Sequence, residues 1–134
     1  MLVDNESLYS ISENNLGVDA PNYQNINRLI SQILSSMTVG QRFSGPQNIN
    51  MLKLQTNLVS YPRIHFALAS YAPLLPWERT YLDQPSVEDI TNACFDHRNI
   101  TNFSNIEHGK FIASSLIYRG DVLPRDAIFA ARRG

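Results

Sequence analysis

Gln55-Thr56-Asn57-Leu58-Val59-Ser60-Tyr61-Pro62-Arg63-Ile64-His65-Phe66 lies near the middle of a 134-residue chain. Its apolar spacing changes at Pro62. Upstream, Met51, Leu52 and Leu54 suit a short helix over Asn48–Val59, preceded by a turn at Ser44-Gly45-Pro46. Downstream, Ile64, Phe66 and Leu68 alternate with Arg63, His65 and Ala67, which predicts a strand over Arg63–Tyr71. His65, alternating with core positions, reads as a structural histidine with its hydrogen bonds satisfied.

Further upstream, Ile26, Leu29, Ile30, Ile33, Leu34 and Met37 fall at i, i+3, i+4, i+7, i+8 and i+11. They form the broad apolar stripe of a helix packed on a core, with Gly40 marking its end. Asp4 or Asn5 can cap a short helix through about Ile11, and Glu13–Pro21 is a loop. On the other side, Ala72–Pro85 holds several prolines and reads as a long loop. Ser86 and Asp89 have capping-box spacing before Val87, Ile90 and Cys94. Arg98–Ile106 is a polar connection, Phe111–Tyr118 a second apolar strand, and Pro124 suits the first position of a last helix running towards Gly134. The pattern gives an α/β piece with two strands and several short helices.

Hydrophobic residues make up 43% of the chain and the net charge is −1. This composition argues for a folded protein with no electrostatic footprint for nucleic acid or an anionic membrane. Cys94 is the single cysteine, so no internal disulfide forms, and its apolar helical setting favours packing over nucleophilic chemistry. The start Met1-Leu2-Val3-Asp4-Asn5-Glu6 does not read as a signal peptide, and no run reaches membrane-spanning length. The sequons at Asn5, Asn99 and Asn102 then read as coincidental in a cytosolic chain. His97 and His108 lack spaced partners for a metal site.

Several further strings carry ancestry: Val3-Asp4-Asn5-Glu6, Asn27-Arg28-Leu29-Ile30-Ser31-Gln32-Ile33, Asp89-Ile90-Thr91-Asn92-Ala93-Cys94-Phe95, His108-Gly109-Lys110 and Tyr118-Arg119-Gly120-Asp121. With the central run, they resemble the α-tubulin family, in order and almost without gaps, until the likeness fades after Asp126. The resemblance implies an α/β fragment of the tubulin fold. Residues 1–47 would be the end of the GTPase domain, including a core helix over about 22–43 that corresponds to Tyr23–Arg42. Residues 48–134 would be the first part of the intermediate two-layer domain, cut short.

The resemblance also assigns residues. Asn5, Tyr23 and Asn27 match positions that contact guanine nucleotide. Asparagine amides offer a donor and an acceptor to a base edge or ribose hydroxyl, and a tyrosine ring can stack on a purine. Taken singly, Asn5 is also a helix cap and Tyr23 a helix-start residue. The family's glycine-rich phosphate loop has no counterpart, so the implied GTP site is partial, binding is weak or absent, and Mg2+ is not expected on this piece. A short helix would make longitudinal contact through Asn48–Lys53, with Asn50 and Lys53 replacing family carboxylates. Lys53 stands where α-tubulin has the glutamate that activates water, and β-tubulin has a lysine there. An ammonium group cannot accept that proton. Lys53 therefore either attracts a partner's phosphate or reflects relaxed constraint, and no GTPase activity is expected of the isolated chain. Pro76–Leu82 matches the lateral-contact loop, where Trp77, Arg79 and Tyr81 would meet a neighbour, although Trp77 could instead pack on its own core. Leu82 replaces a family histidine, and Ser60 a family proline.

The implied role is a structural constituent of the microtubule cytoskeleton, in the cytoplasm, partnered by β-tubulin or another tubulin-like subunit. The alternatives are a truncated module that binds tubulin, or the non-functional product of a partial gene.

Overall fold

The computed structural model describes residues 1–45, 49–76 and 78–133. Helix α1 (Asn5–Asn14) starts where Asp4, in extended backbone, accepts from the Glu6 amide at 3.2 Å. Helix α2 (Tyr23–Met37) starts in the same way, with Asn22 accepting from the Asn25 amide at 3.1 Å. Each cap satisfies a donor that the first turn cannot pair internally. The two helices bury Leu8 and Ile11 against Ile26, Leu29 and Ile33, with Tyr9, Ile30, Met37, Tyr71 and Leu74 packed around them. Of the apolar stripe expected on α2, only Leu34 is exposed.

The long helix expected over Tyr23–Arg42 is broken. Thr38 (φ −97°, ψ 4°) closes α2, and a separate turn, α3 (Val39–Arg42), follows. The Thr38 hydroxyl donates to the Leu34 carbonyl at 2.8 Å, a local bond through which a β-branched residue competes with regular helix. Gly40, expected to end the long helix, sits inside α3. A Cβ there would lie 3.0 Å from the Ile49 carbonyl oxygen and 3.2 Å from its nitrogen. The missing side chain lets the segment before α4 lie directly on α3. Helix α4 (Met51–Leu58) begins after Asn50, whose side chain accepts from the Leu52 amide. It is shorter than the expected Asn48–Val59. Asn48, and Pro46 of the expected turn, lie outside the described residues.

Neither expected strand forms a ladder. Residues 61–70 make isolated bridges: Tyr61 with Ile64, Leu2 with Leu68 in parallel, and Ser70 with Ile100 in antiparallel. Phe111–Tyr118 forms no bridge among the described residues. The expected α/β class is therefore corrected to a mostly helical fold with little strand. Alternating side chains prepare a segment for a sheet, but a ladder forms only against neighbouring backbone. Here the neighbours are one residue deep. Leu2 N–H donates to Ala67 O at 2.9 Å, Asp4 N–H to Thr101 O at 2.8 Å, and Thr101 N–H to Ala69 O at 2.9 Å. The side chains that a sheet face would cover stay out, Phe66 being 62% and Ile112 63% exposed. His65 is exposed too, its Nδ1 3.2 Å from the Pro62 carbonyl.

Residues 72–76 and 78–85 form no helix or strand, in keeping with the loop expected over 72–85, and a cis peptide lies at Ala72–Pro73. Ser86 and Asp89 then form the full capping box of α5 (Val87–Phe95). Hydrogen bonds from Ser86 hold the Asp89 carboxyl below its ordinary value. A 3-10 turn covers His97–Asn99, and α6 (Pro124–Arg133) opens on Pro124 as expected. α5 and α6 pack together, with Thr91 and Ala130 buried. The Thr91 hydroxyl lies 2.6 Å from the Tyr118 hydroxyl, and Arg133 meets Glu88 at 3.0 Å. Phe95 and Phe111 meet edge to face at 5.8 Å. Asn99 joins the two helix pairs. It donates to the Ala93 carbonyl and accepts from the Asn15 amide, both at 2.7 Å.

Leu8→Ala should destabilise the chain by about 2–5 kcal/mol in urea unfolding, because it opens a cavity between α1 and α2. Gly40→Ala should also destabilise, although alanine gains about 1 kcal/mol over glycine in an open helix. A stabilised variant would show that the close approach at Ile49 is unimportant.

Candidate functional site

The first two turns of α1 and α2 bring the expected nucleotide-facing residues onto neighbouring faces. Asp4 does the capping of α1, so Asn5 is not the cap. Asn5 is exposed and its side chain makes no hydrogen bond among the described residues. Tyr9 lies one turn further along α1, and its ring meets Tyr23 edge to face, centroids 6.3 Å apart with planes at 62°. Tyr23 opens α2 and is 67% exposed. Asn27, one turn on, is exposed as well. Residues four apart share a helix face, so the Tyr9–Tyr23 contact sets the Asn5–Tyr9 face beside the Tyr23–Asn27 face.

Tyr9 is the residue that sequence reasoning missed. Its signal was present: an aromatic four residues after Asn5, next to the apolar Leu8. Partial burial pushes its hydroxyl above the ordinary value, and the neighbouring Tyr23 adds to the shift. Chemically, the two faces offer amide donors and acceptors beside aromatic edges. Gly40 lies against the backbone of Ile49, away from these faces.

The expected longitudinal residues sit on a separate element. Asn50 already caps α4, its Oδ1 accepting from the Leu52 amide at 3.0 Å. Lys53 is exposed in the first turn of α4 and makes no ion pair among the described residues. Of the expected lateral residues, Trp77 lies outside the described residues. Arg79 is the hub of a tight turn: its amide donates to Pro76 O at 2.9 Å, and its carbonyl accepts from the Leu82 and Asp83 amides at 3.0 Å. That turn thrusts Tyr81 and Leu82 outward, 84% and 82% exposed.

Among the described residues no cluster of three or more His, Cys, Asp or Glu side chains could hold a metal ion. His97 lies 3.3 Å from Asp96 and 3.9 Å from Glu107. Cys94 is half-buried and burial raises its thiol, which leaves little thiolate for nucleophilic work. Among the described residues no helix is long and apolar enough to cross a membrane.

Residues 62–133, more than half the chain, match the tubulin C-terminal domain. The class defined in this way is a tubulin-type domain whose extended-pattern segments and terminal helix pair lie inside the match. The chain belongs to the tubulin family. The resemblance read from the central run and from Tyr118-Arg119-Gly120-Asp121 therefore holds at family level.

Because the Tyr9 hydroxyl has a raised value in the folded chain, its contribution to stability is complete below pH 10.0, the ordinary value. That contribution falls as pH rises through the folded value. Tyr9→Phe should flatten the alkaline limb of a stability-against-pH curve, read by urea midpoints. An unchanged limb would remove Tyr9 from the account.

Proposed function

We propose that this chain is a tubulin-like structural constituent of the microtubule cytoskeleton, of α-tubulin type. It acts in the cytoplasm beside β-tubulin or another tubulin-like subunit. The observation that carries this reading is the match of residues 62–133 to the tubulin C-terminal domain. Residues 1–47 are read as the end of the nucleotide-binding domain, and 48–134 as part of the intermediate domain.

The face formed by Asn5, Tyr23 and Asn27, with Tyr9 beside it, is half of a guanine-nucleotide site. The amides would read the base or ribose and the tyrosines would shelter it. Without the family's phosphate loop the isolated chain would hold GTP weakly, and Mg2+ is not expected on this piece. Lys53 stands where the water-activating glutamate would be and offers no carboxylate to act as general base, so the chain is not a GTPase by itself. The exposed Tyr81–Leu82 turn is read as a lateral contact, a setting in which an aromatic side chain anchors a protein interface. Asn50 and Lys53 on α4 are read as the longitudinal one.

A second reading is a module that binds tubulin without entering the lattice. The exposed Phe66, Phe111 and Ile112 favour it, because uncovered apolar surface seeks a partner.

Cosedimentation with assembling tubulin tests both. The chain should pellet with polymer and show no GTP turnover alone, and Tyr81→Ala should weaken pelleting about tenfold. Pelleting that is indifferent to Tyr81 selects the second reading. A chain that stays in the supernatant overturns both.

A further inference from the structure

α2 ends at Met37, and its last-turn carbonyls need partners from outside the helix. Leu34 O is taken by the Thr38 amide at 3.1 Å and the Thr38 hydroxyl at 2.8 Å. Ser35 O is taken by Arg42: one guanidinium nitrogen donates to the Ser35 carbonyl and to the Ser35 hydroxyl, each at 2.7 Å. In an unbroken helix that carbonyl would accept from the Val39 amide, four residues on. The two arrangements compete for one acceptor.

We infer that Arg42 is a latch holding a switchable joint at Thr38, setting the direction in which the chain leaves α2 and the placement of α4. Three observations meet there. The break leaves Ser35 O open and Arg42 fills it, with its cation at the negative end of α2. The same guanidinium stands 5.5 Å from the centre of the Phe43 ring, beside the chain just after α3. Gly40 seats α3 on the backbone of Ile49, so a turn of α3 about Thr38 moves the start of α4. Only neutral atoms hold the guanidinium on Ser35, and such a hold is weaker than one on a carboxylate.

Tyr23 and Asn27 lie at the far end of α2, and Lys53 lies on α4. The joint therefore connects the two groups of candidate contact residues. It stands on the geometry of α2 and α3 whether or not the first group binds nucleotide.

Amide hydrogen exchange and Cα chemical shifts on the full chain test it, comparing the parent with Arg42→Ala and Ser35→Ala. In Arg42→Ala the Ser35 carbonyl returns to the Val39 amide. That amide should gain protection by about two- to tenfold, and the Thr38 Cα shift should move to helical values. Ser35→Ala, which keeps the carbonyl, should move both in the same direction by less, and Arg42→Lys should restore part of the parent pattern. Three results overturn the latch: no change at Thr38 and Val39, fraying of 39–42 with no gain at Val39, or loss of protection extending to Leu29 and Ile33.

Discussion

Burial of Leu8 and Ile11 against Ile26, Leu29 and Ile33 is the constraint on which the other features rest. Apolar area removed from water is worth roughly 25 cal/mol per Å2, and each such side chain contributes about 1.5–3 kcal/mol when fully covered. Because these residues recur along one face of each helix, their burial also fixes how α1 and α2 are rotated about their axes. That rotation places Tyr9 against Tyr23 and leaves Asn5 and Asn27 outside. The candidate surface thus follows from the core's geometry, with the Tyr9–Tyr23 ring contact setting its two faces side by side.

The second helix pair is joined to this core by polar contacts. Thr101 is fully buried and bonds through its backbone to Asp4 and Ala69. Its hydroxyl reaches the Ala69 carbonyl at 3.0 Å and the Leu2 carbonyl at 3.4 Å. Asn99, two residues earlier, bridges Asn15 and Ala93. Buried hydrogen bonds add modest net stability, but leaving one unmade is expensive. The join is therefore specific in register although it is small in area.

Much of the helical content could be read from the sequence because its causes are local. The Ser86/Asp89 box, Pro124 at a first helical position and the stripe from Ile26 to Met37 act within a few residues. They appear where the spacing places them. Two kinds of feature were less accessible. The strands predicted over Arg63–Tyr71 and Phe111–Tyr118 depend on partners elsewhere, so alternation gave the tendency without the ladder. The break at Thr38 arises from a hydroxyl turning back on the helix and a guanidinium reaching seven residues, and periodicity registers neither. Asn5, Tyr23 and Asn27 came from family resemblance. Tyr9 carried a local signal in its spacing from Asn5, but its contact with Tyr23 depended on the proximity of two helices.

The unladdered segments also have a colloidal consequence. Backbone left without a partner strand, with Ile64, Phe66, Ile112 and Ile117 in the open, is a template for pairing between molecules. A formal charge of −1 and an isoelectric point near 6.3 supply almost no repulsion to oppose that pairing at neutral pH. Such pairing between molecules then limits the useful concentration range of this polypeptide. The range widens as the solution is moved away from the isoelectric point.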